Sequence, residues 1–338
     1  MRNDDRLSEQ PAVPRGDDRL SDRPAPQPAG PGAFADIDVS LPPVTIRVVA
    51  FVFFVYAFWP FVTMQLLTAA GFGPGPTAAP PTAEQTLTLE RVSLLANGLA
   101  FPLQLASLGL LPRLTGVRPW QIGLTFRRLG WNCLGGATGW LVLTPACFAA
   151  NYALVSLYGP EAAGNVKEHP FVQMAQQGLT PAEWFLLVFT ATVSAPAMEE
   201  LLFRGALLSW LERRPWASHI AMMLAFVLSL PMKGNEAAVW RQGGWPLALH
   251  LAPVLFVLTL IVVYLAVCQL SRGPTVPAIF AASGLFAAVH SFAWPSPVAL
   301  FVLALGLGWL AYRTRSLAGP VVLHGLFNAV SCALLFWQ

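Results

Sequence analysis

Ala195-Pro196-Ala197-Met198-Glu199-Glu200-Leu201-Leu202-Phe203-Arg204-Gly205 places three ionisable residues inside an otherwise apolar run spanning residues 183–211. An α-helix needs about 20 such residues to cross the hydrocarbon core of a bilayer. Charge inside such a helix is costly unless it is paired or put to use. This stretch therefore reads as a membrane span built around chemistry.

Composition agrees with the membrane reading. Of the 338 residues, 55% are hydrophobic and 11% charged, whereas a soluble domain carries about a quarter charged residues. Charge is also unevenly placed: residues 1–43 hold 8 of the 17 acidic and 5 of the 20 basic residues, and no Asp follows Asp38. That Arg-, Asp- and Pro-rich stretch cannot bury enough apolar surface to offset its ordering entropy, so a disordered cytoplasmic tail is expected. It also leaves no apolar stretch near the amino terminus, so the first span is expected to act as an uncleaved signal-anchor. Cys133, Cys147, Cys268 and Cys332 lie in or beside apolar segments without paired spacing, which suggests neither disulfides nor a thiolate metal site. Arg outnumbers Lys 18 to 2, a bias that reads as bacterial.

Hydropathy yields nine candidate spans, at 46–67, 92–111, 132–157, 183–211, 216–230, 249–270, 275–293, 298–312 and 317–337, of which 216–230 and 298–312 are short. The expected fold is an all-α polytopic bundle of eight or nine transmembrane helices. Residues 118–131, pairing Trp and Phe with Arg, suit an interfacial helix leading into the third span. With the amino terminus inside, ten arginines, among them Arg113, Arg127, Arg213 and Arg315, fall at cytoplasmic ends. Only Arg91, Lys167, Lys233 and Arg241 fall outside, so the positive-inside rule favours a cytoplasmic amino terminus. The expected location is a bacterial inner membrane. The chain divides into the tail 1–43, accessory helices over 44–117, and a core over 118–338 with an insertion at about 216–272.

Three spans carry ionisable side chains, each with a partner at i,i+4 on one helix face: Glu200 with Arg204, His290 with Phe286, and His324 with Asn328. At about 1.5 Å of rise per residue from the cytoplasmic ends, Glu199 lies about 21 Å deep, His290 about 24 Å, His324 about 12 Å and Asn328 about 18 Å. These depths allow one shared polar cavity near mid-membrane. The chemistry such a cavity permits is hydrolysis. A buried carboxylate is pushed towards general-base duty, and Glu200, held ionised by Arg204, leaves Glu199 free to take a proton from water. A histidine facing Glu199 could orient that water, while His324 and Asn328 offer N–H donors one turn apart, as an oxyanion hole requires.

These three motifs together resemble the CPBP intramembrane proteases, a family that includes the CAAX prenyl endopeptidases. That family carries Glu-Glu-x-x-x-Arg, Phe-x-x-x-His and His-x-x-x-Asn in this order on separate membrane helices, as found here at 199–204, 286–290 and 324–328. The resemblance covers about residues 120–335. It implies an endopeptidase with a water activated by Glu199 and assisted by His290, His324 and Asn328 stabilising the oxyanion, and Glu200 and Arg204 in support. No cofactor is firmly implied; a divalent metal such as zinc, held by Glu199, His290 and His324, is the alternative that Glu and His also permit. Expected partners are the bilayer and a membrane-embedded or lipid-modified peptide or protein, with no nucleic acid. The bacterial composition argues against a prenylated substrate. One departure stands out: Phe286 lies 82 positions after Arg204, room for two extra spans between motifs that the family usually carries on successive helices.

Other classes fit less well. There is no His-Glu-x-x-His, and the absence of Asp beyond Asp38 removes an aspartyl mechanism. Ser283 with His324 offers the elements of a serine–histidine dyad, but in a poor sequence context. A transporter would be expected to show repeat symmetry, and none is evident. The remaining alternative is a catalytically silent relative serving as an immunity or scaffold protein. Asn97 and Gln104 read as packing hydrogen bonds, Gly135-x-x-x-Gly139 as a helix contact, and His169, His219 and His250 as interfacial.

Overall fold

The computed structural model describes residues 44–74, 82–163, 174–176, 178–230, 241 and 243–335. The expected tail over 1–43, Lys167, His169 and Lys233 lie outside these residues. Among the described residues the regular structure is entirely helical. The principal helices are α1 (Ile46–Ala69), α2 (Ala83–Leu108), α3 (Leu111–Thr115), α4 (Leu129–Ala163), α5 (Pro181–Arg213), α6 (Pro215–Ser229), α7 (Gly244–Leu270), α8 (Thr275–Val289), α9 (Ser296–Thr314) and α10 (Ala318–Leu335). Five of them, α1, α4, α5, α7 and α9, are long and apolar enough to cross a membrane, and α6, α8 and α10 are shorter apolar helices. The protein is a polytopic membrane helix bundle. The expected interfacial helix over 118–131 does not form as one element. A single 3-10 turn at Pro119–Ile122 ends at Gly123, whose φ of +83° suits glycine, and Arg128 at φ +53° precedes the true helix start at Leu129.

Small residues decide how closely the helices approach. Ala278 through Ala288 on α8 are all buried, and α6 meets this helix with Ala217, Ala221 and Ala225 on one face. Between α4 and α10, Gly136 lies against the Gly319 carbonyl and Gly139 against Leu323. In lipid, where the hydrophobic effect gives no preference for helix–helix over helix–lipid contact, such close packing is what holds helices together.

Chain direction is consistent throughout. Going up α4 from Gly136 to Phe148, its partners go up α10 from Gly319 to Phe327, so these two helices run parallel. On α5 and α10, His324 meets Glu200 while Asn328 meets Ala191, so this pair is antiparallel. Both relations follow if each helix from α4 onward reverses the direction of the one before. The two helices inserted between the first two motifs, α6 and α7, are even in number and so preserve the direction of α8.

Candidate active site

The helix α5 is not uniformly α-helical. It is wound as a π-helix over Thr190–Ser194 and again over Leu201–Leu207, flanking the α-helical turn Ala195–Glu200. A π-segment breaks the i→i−4 ladder and is frequent at functional sites. Near the first segment the Ala191 carbonyl accepts a hydrogen bond from Asn328 Nδ2 of α10 at 2.8 Å. α10 comes this close because of Gly325: a Cβ there would fall 2.5 Å from the Thr192 carbonyl oxygen. The backbone irregularity of α5 thus sets the height and rotation of the helix that carries His324 and Asn328.

The adjacent glutamates point in different directions and meet different surroundings. The side chain of Glu200 is 0% exposed, and its Oε1 accepts from Arg204 Nη1 at 2.9 Å and from His324 Nδ1 at 2.8 Å. Its Oε2 is buried without a partner. The side chain of Glu199 is 13% exposed, with Oε2 3.9 Å from His324 Nε2. His324 therefore bridges the two carboxylates, one ring nitrogen to each. With Nδ1–H donating to Glu200, a neutral ring presents the Nε2 lone pair towards Glu199. Arg204 is itself buried, donating also to the Ala304 carbonyl at 3.4 Å and lying 4.6 Å from the Phe286 ring centroid. A planar guanidinium can pair with a carboxylate and stack on a ring at once, which a lysine could not do as well.

Phe286 sits at the centre of the constellation. Its ring lies 5.0 Å from His290, 5.8 Å edge-on from His324 and 5.1 Å perpendicular to Phe203. His290 follows the last turn of α8, where its Nδ1 lies 2.9 Å from the Phe286 carbonyl oxygen. A proton on Nδ1 there leaves Nε2 as the free position.

All six expected site residues gather in this region, on α5, α8 and α10. Their pairings differ from the expected ones in two respects. The histidine nearest Glu199 is His324; His290 makes no ion pair or hydrogen bond to either glutamate. His324 and Asn328 each have an N–H already committed, to Glu200 and to Ala191, so neither is a wholly free oxyanion donor. Phe286 entered the sequence analysis only as the first residue of the Phe-x-x-x-His motif, with no contact of its own assigned, and Gly325 left no trace in it. Ser283 donates to the Ile279 carbonyl at 2.8 Å on its own helix and does not pair with His324, so the serine dyad is not assembled. Among the described residues no group of three or more His, Cys, Asp or Glu side chains is arranged to hold a metal ion. Glu199, His290 and His324 thus do not form the ligand set that the metal alternative needs.

The site defines a class: a polytopic helical membrane protein with a glutamate–histidine–arginine cluster enclosed by its helices. Two stretches, residues 181–271 and 261–330, match the family described as "Type II CAAX prenyl endopeptidase Rce1-like". Together they cover residues 181–330, which hold all three motifs, so over this part the chain is similar to that endopeptidase family, in line with the resemblance. No curated protein and no solved structure matches the chain.

Proposed function

We propose that this chain is an intramembrane endopeptidase whose nucleophile is a water activated by Glu199. The observation that carries this reading is the division of labour between the glutamates: Glu200 is fully buried and doubly engaged, while Glu199 keeps a partly accessible carboxylate 3.9 Å from His324 Nε2. A water bonded to both groups can span that separation. Glu199 takes one proton from this water as its oxygen attacks the scissile carbonyl carbon, giving a tetrahedral oxyanion. The second N–H of Asn328 is the donor proposed for that charge, and His290 assists through the free Nε2 position by handling a proton. Collapse of the intermediate breaks the C–N bond, and Glu199 returns its proton to the departing nitrogen. Arg204 and Glu200 hold His324 in the tautomer and orientation this requires.

The substrate is a membrane-associated peptide or protein. The family description names prenylated CAAX substrates, so a prenylated carboxy-terminal peptide stands beside an unmodified membrane peptide as a candidate, despite the bacterial composition. Residues 44–117 serve as accessory helices, and the amino terminus lies in the cytoplasm. The test is cleavage of both peptide types by purified protein in lipid vesicles, with Glu199→Ala as control. Cleavage by wild type alone supports the reading. Absence of cleavage with intact binding of either peptide would favour the silent scaffold instead.

A further inference from the structure

A cavity of about 190 Å³ opens between α1, α2 and α5, lined by Tyr56, Asn97, Gln104, Thr190, Ser194 and Met198 among others. Two features set it apart from a packing defect. It carries polar side chains in the middle of apolar helices, and it adjoins the turn of α5 that bears Glu199, since Met198 on that turn lines it.

Thr190 marks the cavity as built for a ligand. Hydroxyls inside these helices usually donate to the carbonyl one turn back, as Thr63 does to Trp59, Thr192 to Val188, Ser283 to Ile279 and Thr314 to Leu310. Thr190 does not. Its Oγ1 is buried without any partner although the residue is only 5% exposed. An unsatisfied buried hydroxyl is unfavourable, and Thr190 is one of the residues that wall the cavity. Tyr56 Oη likewise has no hydrogen bond to a described residue. The amides of Gln104 and Asn97 spend their N–H groups on the Tyr56 and Ser93 carbonyls at 3.0 and 2.8 Å, which leaves their oxygens as acceptors. The lining therefore offers hydroxyl donors and amide acceptors side by side. An extended polypeptide main chain, with its alternating C=O and N–H groups, needs that mixture when it leaves water; a prenyl or acyl chain needs none of it.

We propose that this cavity is the subsite that receives the substrate's extended main chain next to the scissile bond, with Tyr56 and Thr190 as donors to substrate carbonyls. It rests on the endopeptidase reading, and it assigns substrate recognition to α1 and α2, which lie outside the family-matched residues 181–330. Lipid modification of the substrate is then held elsewhere, and the peptide portion is read here.

The test is run on full-length protein in phosphatidylcholine vesicles, on a peptide that wild type cleaves. Tyr56→Phe and Thr190→Val each raise KM about threefold to tenfold with kcat within twofold, the range of one net hydrogen bond. Thr190→Val also unfolds at a temperature no lower than wild type, since it removes a polar group that has no partner in the empty protein. Independently of turnover, a benzophenone amino acid at position 97 in a Glu199→Gln background crosslinks to the added peptide. Capture of lipid alone, or unchanged KM in both variants, overturns the subsite while leaving the endopeptidase reading intact. A peptide that wild type fails to cleave but that still crosslinks at position 97 supports the subsite and counts against the activity.

Discussion

Replacing Arg204 by Met would unseat the charge balance on which the whole cluster depends. Arg204 and Glu200 have side chains 2% and 0% exposed and are joined at 2.9 Å. Their attraction does not make the pair a net source of stability, because both charges had to leave water. Breaking the pair is a different matter. With Arg204 gone, the Glu200 carboxylate keeps only His324 as a partner on Oε1, while Oε2 is already without one. Removing one member of a buried ion pair costs about 3–5 kcal/mol, which corresponds to a loss of about 5–8 °C in unfolding temperature for a bundle of this size. Glu200→Gln leaves Arg204 with only the long contact to the Ala304 carbonyl and the Phe286 ring, so it too is destabilising. The double variant Arg204→Met/Glu200→Gln buries no unpaired charge. It should recover about 2–3 kcal/mol relative to the sum of the singles, the coupling expected of residues in one network. Thermal unfolding of the four proteins in lipid nanodiscs reads this directly. Additive losses, or an Arg204→Met loss below about 1 kcal/mol, would show that the two side chains are not a buried pair.

Other expectations follow from particular contacts. Gly325→Ala forces α10 off the Thr192 carbonyl and so displaces His324; turnover falls by an order of magnitude or more, with about 1–3 kcal/mol of stability lost, whereas Gly130→Ala, facing open space, changes neither. Ser283→Ala leaves the rate of peptide cleavage unchanged, since its hydroxyl only bonds its own helix; a loss beyond tenfold with an intact fold would revive a serine mechanism. His290→Ala lowers kcat by about 10²–10⁴, as loss of a proton-handling group does, with unfolding temperature near that of wild type because the side chain is only partly buried.

How much of this was legible in the sequence depends on which force was at work. Helix positions were readable because apolarity and length alone specify a bilayer-crossing segment: even the short candidate at 298–312 proved to be the 19-residue helix α9. The stretch 118–131 misled because its Trp and Arg content suits an interface in any conformation. What decides its path is the left-handed backbone at Gly123 and Arg128 and the docking of the Gly123 carbonyl on Leu317 N at 2.9 Å. Helical spacing identified Glu199, Glu200, Arg204, His290, His324 and Asn328 as a group, because i,i+4 pairs share a face. Their cross-helix pairings were not readable. They depend on the two π-segments of α5, which shift the facing of α5 relative to a regular 3.6-residue helix, and on the close approach at Gly325. Tyr56 and Thr190 were invisible for a related reason: a lone hydroxyl in an apolar run gives no hint of whether it will find the carbonyl behind it.

The central claim is that Glu199 is the base and that Glu200 only supports. It is tested by the cleavage rate of a membrane-anchored peptide in vesicles for wild type, Glu199→Ala and Glu200→Gln, each with and without chelator. The account predicts loss of turnover by about 10²–10⁴ in Glu199→Ala, partial activity in Glu200→Gln, and no response to chelator. Full turnover in Glu199→Ala would contradict it.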